Sequence, residues 1–236
     1  MSSIARRLLL ACFILAAAAF ARLGFWQLGR LRERRAAGEV AAAARQKPAV
    51  VLQGEALKRS ATLAQRRVIA TGRYDPAHEV VLRGQALRGV PGVHLVTPLW
   101  LAESDTAVLV NRGFVPSPDA VSVVSDSLVE PGPVRVEGLA LTMPAAGGQP
   151  LEHRGRTTWA RLDLDALGSW LPYPVLPVYI QQSPDSSLPS FPRRLVAAPL
   201  GDGPHLNYAV QWFVFSGMTI VFAGVVLWQG RRAVSA

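Results

Sequence analysis

Apolar residues crowd into two blocks, one toward each end of the chain. Between them the hydrophobic runs are short and broken by polar and turn-forming residues. The first block, Leu8–Leu28 ("LLLACFILAAAAFARLGFWQL"), is as long as a helix that crosses a bilayer. Arg6 and Arg7 precede it. Arg22 lies near its far end, where a long cationic side chain reaches the interface, and Trp26 is a ring of the kind that settles at headgroup level. The second block, Leu206–Trp228, has few polar members (Asn207, Gln211, Ser216 and Thr219) and is followed by Arg231 and Arg232. Both blocks are predicted transmembrane helices, over 8–28 and 206–228. A rival reading of the first is a cleavable secretory signal ending in "AFA" at 19–21. Against it, apolar character resumes at Leu23–Leu28.

The basic flanks at the two ends place both termini in the cytoplasm by the positive-inside rule, which puts residues 29–204 across the membrane. The basic stretch "GRLRERR" at 29–35 opposes this. A long polar domain translocates largely regardless of local charge, so the two-span reading stands.

The segment between the blocks starts with good helix formers, "RERRAAGEVAAAARQ", which extend the first helix beyond the bilayer. From Arg67 the pattern becomes short Val/Ile/Leu/Thr-rich runs: "RVIATGRY", "EVVLRGQ", "GVHLVTPLWL", "TAVLVNRGFV", "PVRVEGLAL", "TTWARLDL" and "PVLPVYIQQ". Gly, Pro, Asp and Ser punctuate them, with "GVPG" at 89–92 and "ESD" at 103–105 as hairpin connections. One helix is expected over Asp163–Leu171, capped by Asp163 and stopped by Pro172. The stretches 143–156 and 183–194 are expected to be loops. The fold class is therefore a membrane protein of α+β type. Two transmembrane helices flank an antiparallel, β-rich, barrel- or sandwich-like extracytoplasmic domain over 29–204, which carries a helical extension at its start.

Composition agrees with this picture. Half of the 236 residues are hydrophobic and only 17% are charged. The formal net charge of +9 is carried mostly by arginines scattered along the chain, with no nucleic-acid recognition motif among them. The single cysteine, Cys12, excludes an intramolecular disulfide and a Cys-rich metal site, and is expected to be a small buried hydrophobe.

No phosphate loop, GxSxG or HExxH signature is present, and no enzyme is expected. Glu152 and His153 are expected to be an exposed pair, His78 a surface residue, and His94 a satisfied strand histidine pointing opposite to Val93 and Leu95. His205 differs. On a helix starting there, His205, Tyr208, Trp212, Ser216 and Thr219 share one face, opposite Leu206, Val210, Phe213, Gly217 and Ile220. On the first span, Arg22, Trp26 and Arg30 share a face at spacing i, i+4, i+8. Spacing alone favours an interface anchor and packing seam. The sharper alternative is a haem site, with His205 as axial ligand of the iron, aromatic rings beside the macrocycle and Arg22 and Arg30 on its propionates.

The segments "LGFWQLGRLRER", "GRYDPAHEVVLRGQ", "GVPGVHLVTPL", "VNRGFVP" and "HLNYAVQWF", in this order between two terminal spans, resemble the surfeit locus protein 1 family. That resemblance implies an assembly factor for cytochrome c oxidase, resident in the cell inner membrane with its main domain on the periplasmic side. It implies binding of haem a, or aid to its insertion, and partners in oxidase subunit I and in haem a synthase or other assembly factors. Trp26 and Gln27 match the family's first-span motif, while His205, Tyr208 and Trp212 match the second. Two positions depart from the family. Phe114 stands where Trp is common. Gly203 stands where an Asn two residues before the histidine would orient the imidazole. The alternative function is a haem-free membrane scaffold that binds subunit I or another assembly factor. A membrane-anchored sensor has no output module in this sequence.

Overall fold

Helical character sets in at Ser3 and holds to Gln46, through an Ala- and Leu-rich stretch without proline, giving α1 (Ser3–Gln46). The computed structural model describes residues 3–124, 126–145, 147–153 and 156–232. After α1 come β1 (Val50–Val51), α2 (Glu55–Lys58), β2 (Arg67–Tyr74), β3 (Val80–Leu87), β4 (Val90–Leu101), β5 (Ala107–Pro116) and β6 (Pro133–Thr142). Then follow β7 (Pro150–His153), β8 (Arg156–Trp159), α3 (Leu164–Trp170), β9 (Val175–Gln182) and α4 (His205–Arg232). Two compact units result: residues up to Val40 together with those from Pro199 onward, and Ala41–Ala198.

In the second unit β2, β6, β9, β5 and β4 pair in that order, and β4 pairs back onto β2, closing a five-stranded barrel. Four of these pairings are antiparallel, as the run-and-turn pattern predicts. The fifth, β5–β9, is parallel. β6, the β7–β8 hairpin and α3 lie between those two strands in sequence, enough chain to return in the same direction. β1 adds to β2, and β3, β8 and β7 continue the sheet beyond β4.

The barrel interior is aliphatic, with Val68, Ala70, Leu99, Val108, Val110, Val136, Val178 and Ile180 buried together. Ala107 and Leu109, on the other face of β5, are buried against Trp159, Leu167 and Leu171 around α3. Burial on both faces explains why β5 reads as a continuous apolar run rather than an alternation. Asp163 caps α3 as expected, accepting from the backbone N–H groups of Asp165 and Ala166, each at 3.1 Å.

β2 bonds to β6 along Arg67–Arg73 and to β4 from Gly72 to Tyr74. Where the strand passes from one neighbour to the other it needs Gly72, because a Cβ there would lie 1.8 Å from the Trp100 carbonyl oxygen. Gly72→Ala is expected to destabilise the barrel by about 1–3 kcal/mol through forced backbone shifts. Urea unfolding followed by tryptophan fluorescence measures this; an unchanged midpoint would contradict the closure described here.

Several expectations need correction. The 143–156 stretch is not all loop, since β7 pairs with β8 and Leu151 lies opposite Thr158. Its Gly/Pro punctuation hides a short hairpin, of which residues 154 and 155, like 146, lie outside the described residues. The β3–β4 turn falls at Arg88 and Gly89, two residues earlier than expected, because Leu87 already pairs with Val90. Cys12 is exposed on α1 rather than buried. His78 is half-buried, its Nδ1 2.7 Å from Asp75 Oδ2. Glu152 is exposed and accepts a hydrogen bond from the Thr157 hydroxyl. His94 behaves as expected: Val93 and Leu95 are fully buried, and the ring turns the other way to meet the Asn111 amide at 3.2 Å. Burial pushes its pKa below the ordinary histidine value.

Candidate functional site

α1 from Ile4 and α4 from His205 are each long and apolar enough to cross a membrane. Few of their side chains are buried within the protein, unlike those of a core helix. In the unit they form, small residues let the helices approach. Ala17, Ala209 and Ser216 are buried, the Phe213 ring lies over Gly24, and Ser216 Oγ donates to the Ala17 carbonyl at 2.9 Å. Phe20 stacks on Trp212, with centroids 5.8 Å apart and planes 21° from parallel.

This seam takes in most of the polar face read in the sequence, His205, Trp212, Ser216 and Thr219, and leaves out Tyr208. His205, Ala209, Trp212, Phe213, Ser216, Thr219, Ala223 and Val226 are the inward or half-inward positions, whereas Tyr208 is 47% exposed. Packing follows residue size: Ala209 and Ser216 bring the backbones close, and Phe213 fills the space over Gly24. A face read from polar residues alone includes Tyr208 and misses Ala209 and Phe213.

At the start of α4 the His205 ring meets Gln27, with Nδ1 2.9 Å from Gln27 Oε1. An amide oxygen only accepts, so Nδ1 carries the proton and Nε2 of the neutral ring keeps its lone pair. The Cδ2–Nε2 edge lies beside Gly203, where a Cβ would stand 3.4 Å from Cδ2 and 3.6 Å from Nε2. Gly203 has φ +69°, a conformation glycine adopts without strain, and it turns the chain into α4. Its missing side chain leaves that edge of the imidazole clear. The orienting amide, absent at position 203, comes from Gln27 on the other helix.

His205 and Gly203 line a recess of about 400 Å³ with Pro204, Arg30, Glu33, Arg34 and Ala37. Arg30 pairs with Glu33 at 2.6 Å and is exposed, so it is free to exchange partners. Arg34 donates to the Gly201 carbonyl at 3.1 Å, and Arg35 grips Asp202 Oδ2 through Nε and Nη2 at 3.1 and 2.7 Å. The Arg35 guanidinium holds the Asp202 carboxyl below its usual range. These contacts fix the turn that delivers His205.

Of the sequence-predicted site residues, the structure joins His205 to Gln27 and sets Arg30 in the same recess. Trp212 is engaged with Phe20. Arg22, Trp26 and Tyr208 are exposed on the outside of the helix pair. Glu33, Arg34 and the Arg35–Asp202 clasp were not read from the sequence. Their partners are local on a helix surface or 167 residues apart, and no periodicity signals the latter.

Comparison with known proteins follows the same outline. The model of the SURF1 family matches residues 14–217. A SURF1-like protein of Rickettsia felis is 27% identical over 224 residues, covering 90% of this chain and 92% of that one. One from Rickettsia bellii is 27% identical over 225 residues, covering 91% and 87%. One from Monosiga brevicollis is 29% identical over 148 residues, or 59% of this chain, which thereby spans about half, 54%, of that relative's length.

Proposed function

This chain belongs to the SURF1 family, a family of cytochrome c oxidase assembly factors rather than enzymes, and from that premise we propose that it carries haem a at the membrane interface for insertion into oxidase subunit I. The observation that supports this is the His205–Gln27 hydrogen bond, which leaves an imidazole lone pair beside a recess with two arginines. The donor set suits the cargo: one neutral nitrogen for the iron, and guanidinium groups for anionic carboxylates. His205 would hold the iron and Gln27 would fix its tautomer. Arg30 would leave Glu33 for a propionate. Arg22, Trp26 and Tyr208 are available to a ligand lying along the outside of the helix pair, whereas Trp212 acts through packing. In this reading α1 and α4 span the cell inner membrane with both termini in the cytoplasm, and the barrel lies on the periplasmic side, within reach of subunit I, haem a synthase and other assembly factors.

A second reading, a haem-free scaffold, has its own support. Asn207 and Gln211 are exposed on α4, and neither amide has a hydrogen-bond partner among the described residues. An amide facing lipid is a handle for another transmembrane helix. The pigment content of the purified chain separates the two. Co-expression with haem a synthesis is expected to give a haem-bearing protein, and omission of the synthase a colourless one. A colourless protein despite abundant haem a, with cross-links from position 211 to a partner helix, would favour the scaffold.

A further inference from the structure

The barrel unit carries a groove that the haem reading does not use. Two neighbouring depressions, of about 560 and 220 Å³, share Pro116 and Phe191 in their linings. The larger is floored by Val115, Val123 and Leu128, which pack on the buried Val81, Val93 and Leu95. Phe191 is 40% exposed, and Val90 and Val124 stand open at 48% and 77%.

Two stretches of the rim are held by the protein's own hydrogen bonds. Asp119 ties its own turn, accepting from Ser117 Oγ, Val121 N, Ser122 N and Ser122 Oγ at 2.7–3.0 Å. That turn is pinned to the sheet by Gly84 N to Ala120 O at 2.7 Å and Ser117 N to Pro91 O at 3.0 Å. The opposite wall is held by paired backbone bonds between Phe114 and Arg193, at 2.9 and 2.7 Å.

Among the described residues the lining contains no acidic side chain and has two arginines, Arg88 and Arg193, both exposed and without an ionic partner. Arg88 is unusual in its position. It occupies the first place of a two-residue hairpin turn at φ +52°, with Gly89 at φ +82°, where Asn, Asp or Gly is favoured. A bulky residue kept in the left-handed region carries a strain that an ordinary turn would avoid. Here it places a guanidinium at the mouth of an apolar groove.

We propose that this groove binds an extended peptide segment of a partner protein, one that presents apolar side chains to Val115, Phe191 and Leu128 and a carboxylate to Arg88 and Arg193. Charge complementarity selects the acid: two unpaired cations on a chain of net charge +9 attract it and repel a basic segment. Apolar depressions flanked by exposed valines and Phe191 offer side-chain pockets to an extended segment, with the two arginines at one end to hold its carboxylate.

The test is a display library of short random peptides, panned against the full chain in nanodiscs of zwitterionic lipid. The double variant Arg88→Glu/Arg193→Glu serves as counter-target. Enriched sequences are expected to combine apolar and acidic residues. Their affinity should fall at least about tenfold on the charge-reversed protein and also on Val124→Asp, with unfolding midpoints unchanged. The proposal is overturned if enrichment is absent, if the enriched peptides are basic or uncharged, or if charge reversal leaves their affinity unaltered. It is equally overturned if Arg88 and Arg193 instead govern attachment of the nanodisc-held chain to vesicles of anionic lipid, which would make the site a membrane contact.

Discussion

Glu130→Ala is expected to lower the stability of the barrel unit by about 3–5 kcal/mol, the usual loss when one partner of a buried ionic cluster is removed. Glu130 Oε1 accepts from Arg112 Nη2 at 2.8 Å and also from Arg194 Nη2. Both guanidinium side chains are only 3% exposed. Arg112 keeps Glu79 at 3.4 Å, but among the described residues Arg194 has no second carboxylate; its remaining partners there are Gln182 Oε1 and the carbonyls of Pro189 and Pro192. The variant therefore buries a charge without a counter-charge, and neutralising an arginine is not open to the protein. One carboxylate holds together β5, the segment before β6 and the return from β9, so the loss spreads over all three. A native stability of about 5–15 kcal/mol would shrink to a fraction. Urea unfolding should show a lower midpoint with unchanged slope, and Glu130→Gln, which keeps an acceptor but no charge, should fall between. A change under about 1 kcal/mol, the size of an exposed pair, would refute the account.

His205→Ala is expected to abolish the haem a absorbance of the purified chain while leaving the helix pair intact, since Ala209, Trp212 and Ser216 still close the seam. Gln27→Leu is the sharper test. It keeps His205 and removes only the acceptor that holds Nδ1 protonated, so Nε2 no longer carries the lone pair in every molecule. Loss of such an outer partner typically costs about 10–100-fold in metal affinity. The expected result is a protein that loads haem a but loses it on dilution or gel filtration. If His205→Ala retains the spectrum, His205 is not the ligand. If Gln27→Leu holds haem as tightly as the parent, the hydrogen bond does not position it.

Much of the architecture was legible because it is local. Strands such as Arg67–Tyr74 and Val175–Gln182 announce themselves by β-branched runs between turn residues, and α3 by its capping aspartate and following proline. The histidine site was half legible. His205 stands out as a polar group at the head of an apolar helix, but its partner lies 178 residues away. The place of Phe213 in the seam was not legible, because it depends on how its ring fits Gly24, a match of shapes that no single-helix periodicity contains. Nor was the Glu130 cluster, whose members come from four segments that look like ordinary charged surface. The parallel β5–β9 pairing was hidden too, since a turn signal tells where a strand ends and not which neighbour it finds.

That pairing also sets an order in time. β9 is the last strand of the chain to be made, yet it stands between β6 and β5 in the ring. Until residue 182 is available, both of those strands present an open edge with apolar side chains behind it. The ring cannot close progressively as the chain emerges; it closes in one late, non-local step, of the kind that makes folding slow and leaves partly built sheets prone to association. A chain whose own task is to assist the assembly of another complex thus passes through a stage in which its central sheet has a strand-wide gap waiting for its tail.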